Sequence, residues 1–102
     1  MAYDRAVEFE WDPAKDRSNR RKHGLSFADA RRLFESGVDY LEIFDAAHSE
    51  YEDRFIAIGP VDRGIVVVVY TEPEEGRVRI IGARPATKRE RDLYRSHRGG
   101  TR

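Results

Sequence analysis

The segment Ile65-Val-Val-Val-Val-Tyr-Thr71 decides the fold, because all seven of its residues are β-branched or aromatic. Such residues favour strands. A run of them without polar alternation is typical of a strand covered on both faces. A chain of 102 residues, 39% of them hydrophobic, has room for one core built around such a strand. We therefore predict a central strand at 65–71 and a single domain over residues 1–102.

Strand patterns also lie on both sides of this segment. Short turns rich in Gly, Pro and acidic residues, at 59–64 and 73–76, separate them. Strands joined by short turns form an antiparallel meander. We expect an antiparallel sheet of about four strands, preceded by a short first strand at 7–12. The remaining predicted strands are 40–45, 54–59 and 77–84.

Two helices are predicted before the sheet. Asp12 is a suitable N-cap, Pro13 suits the first helical position, and Gly24 can end the helix after about His23. Ser26 begins a second helix that ends at about Gly37. Its apolar residues recur at helical spacing and should face the core. They are Phe27, Ala30, Leu33 and Phe34.

A basic helix is predicted at the C-terminus. Thr87 and Glu90 form a capping box after Pro85, and residues 96–102 are expected to be a flexible tail. The order of elements predicts an α+β fold with two N-terminal helices, an antiparallel sheet and a C-terminal basic helix.

Composition excludes several classes of protein. The chain has no cysteine, so it has neither disulfides nor Cys-ligated zinc. It has no nucleotide-binding glycine motif and no His-Glu-x-x-His motif. Its three histidines share no ligand spacing. His48, with Glu50, Glu52 and Asp53 nearby, is expected in a solvated loop rather than in a metal site. We expect no metal and no cofactor.

No apolar run approaches the roughly 20 residues that cross a bilayer, and the acidic N-terminus does not resemble a signal peptide. We expect a cytoplasmic protein without a membrane association.

Charge is distributed unevenly along the chain. Residues 37–76 contain two basic and ten acidic residues, whereas residues 77–102 contain nine basic and two acidic ones. A cationic surface formed by the C-terminal part would suit a polyanion such as RNA. The alternative is a solvated surface with interspersed ion pairs.

Basic residues at the ends of predicted elements are the candidate site residues. Arg54 begins a strand and Arg84 ends one. Lys88, Arg89 and Arg91 lie in the first turns of the last helix, where the helix dipole disfavours cations. A bound anion would explain this placement, and pairing with the acidic middle segment would explain it equally well.

Four stretches together resemble the BrnT family of toxins. The pattern W-D-x-x-K-x-x-x-N-x-x-K-H-G and the pattern A-R-x-A-T-x-x-E-R-x-x-Y are specific in combination. One difference is Gly82, where the family usually has Ser. The stretches are FEWDPAKDRSNRRKHG (9–24), EDRFIAIG (52–59), VVVVYTE (66–72) and RIIGARPATKRERDLY (79–94).

The resemblance implies a RelE-like fold and a metal-independent ribonuclease that inhibits translation. It also implies neutralisation by a cognate BrnA-like antitoxin with a ribbon-helix-helix part. The toxin would then reach promoter DNA only through the antitoxin complex.

RNA cleavage requires proton transfer, in-line positioning and stabilisation of the charge on the phosphate. We predict that Arg54 and Arg84 hold the scissile phosphate, since arginine matches phosphate geometry. His23 is the predicted general acid, and Lys22 adds positive charge. The predicted substrate-binding residues are Lys88, Arg89, Arg91 and Tyr70.

Structural roles are the alternatives for these residues. His23 would only end a helix, Arg54 would only pair with Glu52 or Asp53, and Arg84 would only anchor the sheet to the last helix. Two other functions use the same residue types. They are a nucleic-acid-binding module without catalysis and a pure partner-binding protein.

Overall fold

The structure, a computed structural model, describes residues 7–62 and 64–100. Its element order confirms the predicted α+β class, with two N-terminal helices and a basic C-terminal helix. The elements are β1 (Glu8–Glu10), α1 (Pro13–His23), α2 (Phe27–Glu35), β2 (Leu41–Phe44), a 3-10 turn (Ala46–His48), β3 (Arg54–Val61), β4 (Gly64–Glu74), β5 (Arg77–Pro85) and α3 (Lys88–Gly100).

β4 is the central strand, as the segment 65–71 predicted. The strand order is β1-β5-β4-β3-β2, and β3 and β5 flank β4 in antiparallel register. Val67 and Val68 are adjacent, so their side chains point to opposite faces, and both are fully buried. The sheet therefore carries apolar packing on each face of β4.

The first strand corrects the predicted sheet. β1 pairs with β5 in parallel, with Phe9 opposite Val78, so the sheet is mixed and has five strands instead of about four antiparallel ones. Turn residues between neighbouring strands indicate the meander from β2 to β5. They carry no information about β1, because its partner is the last strand of the chain.

α2 packs on one face of the sheet with the side chains that its periodicity predicted. All four of them are buried. Its contact with β3 is close at Gly59, where a Cβ atom would lie 2.7 Å from Leu33 Cδ1 and 2.8 Å from Tyr40 Cβ. A glycine is needed there because any side chain would displace the Leu33 side chain and Tyr40, the residue before β2.

α3 lies on the opposite face, which we call the α3 face. Tyr94 packs there with Ile58 and Val67, and its hydroxyl donates to the carbonyl of Asp39 at 2.8 Å. Ile56 is only half-buried beside this cluster. α3 therefore covers part of its face and leaves the rest of that face accessible.

α1 begins and ends where predicted. Asp12 Oδ1 accepts a hydrogen bond from the Ala14 N–H at 2.9 Å, and Gly24 ends the helix with φ 67°. None of the helix residues is buried.

Polar contacts therefore hold α1 in place. Asn19 Nδ2 donates to the carbonyls of Leu25 (2.8 Å) and Ala83 (2.7 Å), and its Oδ1 accepts from the Ala83 N–H at 3.2 Å. The amide pairs with the edge of β5 as a neighbouring strand would, beyond the point where β1 ends.

α3 begins with the predicted capping box. The Thr87 N–H donates to Glu90 Oε1 at 2.9 Å, and the Glu90 N–H donates to Thr87 Oγ1 at 3.2 Å. The helix continues to Gly100, which corrects the flexible tail predicted from residue 96. His97 pairs with Asp39 at 3.4 Å and ties this part of the helix to the region before β2. Thr101 and Arg102 lie outside the described residues.

No helix within the described ranges has the length and apolar character that crossing a bilayer requires.

Candidate active site

Arg54 and Arg84 lie on the α3 face. Arg54 is opposite Thr71 and Arg84 is opposite Val67. Residues 67 and 71 are four apart on β4 and so project to the same side. Four strand residues span roughly 13 Å. The two arginines predicted to bind the scissile phosphate thus share a face, although their backbones are well separated.

Arg79 is a closer neighbour of Arg54, and sequence reasoning missed it. Thr71 pairs with Arg54 on one side and with Arg79 on the other. These three residues form a row across the sheet, which we call the arginine row; its outer positions are about 10 Å apart. Arg79 Nε donates to the Glu10 carboxylate at 2.6 Å. The alternation of basic and apolar residues in β5 was the signal that could have placed Arg79 there.

Arg54 has unused hydrogen-bonding capacity. Within the described part of the chain no ion pair joins it to Glu52 or Asp53, as the structural alternative required. Arg54 Nε and Thr71 Oγ1 are both buried without a hydrogen-bond partner, and Thr71 is 1% exposed. An unpaired buried polar atom costs about 1–3 kcal/mol, so neither atom contributes a hydrogen bond that stabilises this part of the sheet.

Arg84, in contrast, is engaged. Its Nη1 and Nη2 donate to the two carboxylate oxygens of Glu90 at 2.7 and 2.8 Å. This bidentate hydrogen bonding is the main cause that lowers the pKa of Glu90 to about 2. Arg84 joins β5 to α3, as the structural alternative expected, and its side chain remains 39% exposed.

The turn before β3 fixes the backbone of Arg54. The Asp45 N–H donates to the Arg54 carbonyl at 2.8 Å. The Ser49 hydroxyl donates to the Asp45 carbonyl at 2.6 Å and accepts from the Arg54 N–H at 2.9 Å. Both backbone hydrogen-bonding groups of Arg54 are therefore tied to residues 45–49.

The same turn contains a histidine–carboxylate pair. His48 Nδ1 lies 2.9 and 3.2 Å from the two carboxylate oxygens of Asp45. The Asp45 side chain is 15% exposed and the imidazole 66%. The segment predicted as a solvated loop therefore contains an ordered imidazole that faces solvent.

Residues of this turn and Arg54 line a cleft of about 340 Å³. Tyr51, on its border, is 93% exposed. A cation with free capacity, an imidazole, two carboxylates and an aromatic ring thus surround one opening. The lining residues are Ala47, His48, Glu50, Tyr51, Glu52 and Arg54.

His23 and Lys22 lie at the exposed C-terminal end of α1. Within the described residues neither side chain forms a hydrogen bond or an ion pair, and so none joins them to Arg54 or Arg84. The structure shows the helix-ending position of His23 and does not link it to the arginines.

A separate groove of about 630 Å³ lies between the end of α1 and the start of α2. The basic residues that line it come from the same stretch as Lys22 and His23, but they are arginines. In the described part of the chain these arginines have no ion pairs. The lining residues are Arg17, Arg20, Arg21, Gly24, Ser26 and Asp29.

Two of the three predicted substrate-binding residues of α3 are paired locally. Lys88 Nζ donates to Asp92 at 3.0 Å, and Arg91 Nη1 donates to the Ala86 carbonyl at 3.0 Å. Arg89 is exposed. Lys88 and Arg91 are thus paired within and just before α3, and not with the acidic middle segment.

Tyr70 corrects the predicted set of substrate-binding residues. Its side chain is fully buried, on the face that α2 covers, and its hydroxyl donates to the Glu42 carboxylate. The ring stacks on Phe55 at a centroid distance of 5.7 Å. A side chain with no exposed surface cannot contact RNA, because alternation in β4 turns it away from Thr71 and the α3 face.

In residues 7–62 and 64–100 no group of three or more His, Cys, Asp or Glu side chains is arranged to hold a metal ion.

Comparison with known proteins gives a specific match. The family model of the ribonuclease toxin BrnT of type II toxin–antitoxin systems matches residues 11–90. The crystal structure of the Brucella abortus ribonuclease toxin BrnT is similar, with a TM-score of 0.61 and 28% identity over 80% of this chain and 99% of that chain. Comparison with curated protein sequences gives no significant match. The family match covers every element from α1 to β5, and the chain therefore belongs to the BrnT family of ribonuclease toxins from type II toxin–antitoxin systems.

Proposed function

We propose that this protein is an endoribonuclease that cleaves RNA without a metal ion and thereby inhibits translation. Family membership implies RNA as the substrate and an antitoxin as the partner. The observation that carries the proposal is Arg54, a cation that lines an open cleft and forms no ion pair with any described residue.

Arg54 would bind the scissile phosphate. Its guanidinium stays protonated and donates hydrogen bonds in a geometry that matches phosphate oxygens. Preorganised donors of this kind stabilise the charge that develops on a phosphate in the transition state. Two backbone hydrogen bonds support this role, because they restrict where the Arg54 side chain begins. The Asp45 N–H donates to the Arg54 carbonyl, and the Arg54 N–H donates to the Ser49 hydroxyl.

Other residues would hold the RNA on either side of that phosphate. Arg84 lies further along the α3 face and is oriented by Glu90, so it suits a flanking phosphate. Lys88, Arg89 and Arg91 extend the positive charge into α3. Tyr51 offers an exposed ring beside Arg54, and unpaired RNA bases stack on such rings.

Two earlier predictions remain open to experiment. His23 as the general acid and Lys22 as an added positive charge have no structural link to Arg54. We also propose that a BrnA-like antitoxin with a ribbon-helix-helix part neutralises the protein in the cytoplasm, and that promoter DNA is bound only through that complex.

Incubation of purified protein with a single-stranded RNA in excess EDTA tests the proposal. We expect cleavage products with 2′,3′-cyclic phosphate ends. Arg54→Ala should lower the cleavage rate about 10²–10³-fold, the usual effect of removing one transition-state donor. Arg31→Ala is the matched control, because Arg31 is a half-exposed arginine on α2 that pairs with Glu35.

Two outcomes would contradict the proposal. Cleavage that EDTA abolishes and Mg²⁺ restores would show a metal-dependent enzyme. Salt-sensitive RNA binding without any cleavage would show a nucleic-acid-binding module in which Arg54 only holds phosphate.

A further inference from the structure

We propose that His48, oriented by Asp45, is the general base of RNA cleavage at the Arg54 cleft. This inference rests on the proposed ribonuclease function and identifies its proton-transfer group. It replaces neither the family assignment nor the role of Arg54.

The turn at residues 45–49 places the imidazole and the arginine in one rigid unit. Asp45 holds His48 through its carboxylate and holds Arg54 through its backbone N–H. Ser49 bridges the Asp45 carbonyl and the Arg54 N–H through its hydroxyl. The same short, local hydrogen bonds therefore hold the His48 imidazole and the backbone from which the Arg54 side chain extends.

Asp45 also selects the tautomer of His48. A carboxylate accepts hydrogen bonds, so Nδ1 carries the proton that faces Asp45. Nε2 then keeps its lone pair and can accept a proton, while the carboxylate stabilises the imidazolium that results. The Asp45 side chain is 15% exposed, which keeps this carboxylate largely away from water, whereas the imidazole is 66% exposed and lines the cleft.

The other two histidines of the chain lack this arrangement. The His23 imidazole has no hydrogen-bond or ion-pair partner within the described residues. His97 contacts the Asp39 carboxylate through Nε2 at 3.4 Å, on α3. Of the three histidines, only His48 lines the cleft that Arg54 borders.

Glu50 and Glu52 also line this cleft. Positive charge at the opening therefore comes from Arg54, and the phosphate must bind on its side. This arrangement leaves the 2′-hydroxyl, which is uncharged before reaction, as the group that can approach His48.

The reaction step is a transesterification. His48 Nε2 removes the proton of the 2′-hydroxyl, the O2′–P bond forms and the P–O5′ bond breaks. The 5′-oxygen takes a proton from water, and the imidazolium later returns its proton to solvent. The products are a 2′,3′-cyclic phosphate and a 5′-hydroxyl, and no oxidant or reductant is needed.

Single-turnover cleavage of an RNA oligonucleotide in EDTA tests this inference. Variants His48→Ala, His48→Gln and Asp45→Asn are compared with His97→Ala, the matched histidine–carboxylate control. Binding is measured separately with an oligonucleotide that carries a 2′-deoxy residue at the cleavage site, which cannot react. Circular dichroism and urea unfolding confirm that each variant is folded.

We expect His48→Ala and His48→Gln to slow cleavage about 10²–10⁴-fold, the usual contribution of acid–base catalysis, with binding of the 2′-deoxy oligonucleotide unchanged. Added imidazole should partly restore the cleavage rate of His48→Ala, because the alanine leaves space for it. The cleavage rate of His48→Gln should stay low, because the glutamine fills that space. Asp45→Asn should slow cleavage without loss of binding, and His97→Ala should behave as wild type.

If His48→Ala cleaves RNA as fast as the wild type, His48 is not the general base, and the ribonuclease function still stands. Absence of cleavage by the wild type would overturn both. A parallel loss of cleavage and binding in the His48 variants would show that His48 binds RNA and does not transfer a proton.

Discussion

The Glu90 carboxylate accepts hydrogen bonds from both the start of α3 and Arg84 of β5. One side chain thus caps a helix and joins that helix to the sheet. The local function was predictable, because Thr87 and Glu90 have capping-box spacing. An anchoring role of Arg84 between the sheet and the last helix was one of the alternatives, but its partner Glu90 was not predicted, because nothing near Arg84 in sequence indicates how the chain turns after Pro85.

Glu90 gives a prediction for pH dependence. Glu90→Gln should lower the free energy of unfolding at neutral pH by about 1.5–3 kcal/mol, the range for hydrogen bonds to a charged group. The pKa of Glu90 falls from an ordinary 4.5 to about 2 in the folded protein. The charged form therefore stabilises the fold above pH 4.5, and this contribution is lost as pH falls from 4.5 to 2.

Urea unfolding of the wild type and Glu90→Gln at several pH values measures the difference. The difference in the free energy of unfolding between the two proteins should decrease steadily as the pH falls below 4.5. A difference that stays constant down to pH 2 would exclude the Arg84 ion pair as its source.

Gly24 gives a second prediction. Its φ of 67° lies in the left-handed region, and a Cβ atom there would meet nothing within 4 Å. Gly24→Ala should therefore cost about 1–2 kcal/mol through backbone strain alone. Gly82→Ala is the control, since its Cβ also meets nothing within 4 Å and its φ is not positive. Equal unfolding midpoints for the two variants in urea would contradict the strain argument.

α1 is the element whose docking depends on polar contacts. Its boundaries follow from Asp12 and Gly24, but its position depends on Asn19, which sequence reasoning did not single out as a contact residue. The reason is physical. An asparagine in a polar helix has many possible partners, and the edge of β5 becomes one of them only after β1 has ended.

We expect Asn19→Ala to lower the free energy of unfolding by about 1–3 kcal/mol, because backbone groups of Ala83 and Leu25 lose their partner. Asn19→Asp should cost at least as much, since a carboxylate oxygen would face two carbonyl oxygens. Urea unfolding compares them with Ser18→Ala, a neighbouring polar residue of the same helix. A loss for Asn19→Ala no larger than that for Ser18→Ala would show that α1 docks by other contacts.

The molecule as a whole has a stable centre and a weak edge. β4 is hydrogen-bonded on both sides and buried on both faces, whereas β1 has three residues and pairs only with β5. Local opening needs the least free energy where buried contacts are few.

Amide hydrogen exchange should show this difference. The amides of β4 from Val66 to Thr71 should exchange slowest, at the rate of global unfolding. The amides of β1 should exchange by local opening, at least about 10-fold faster at 25 °C, which corresponds to 1.4 kcal/mol. Equal protection of β1 and β4 would show that the parallel pair opens only with the whole sheet.

The sequence of this protein was enough to predict α1, α2, the central strand, the meander, the start of α3 and the family. Capping residues, helical spacing, β-branched runs and turn residues act within a few positions, so their effect can be read locally. The contacts that build the candidate site are of another kind. They depend on which strands become neighbours and in which register. They are the parallel pairing of β1, the arginine row, the burial of Tyr70 and the hydrogen bonds that join the His48 turn to Arg54. That register is settled by packing across the whole sheet, which is why those contacts became visible only in the folded chain.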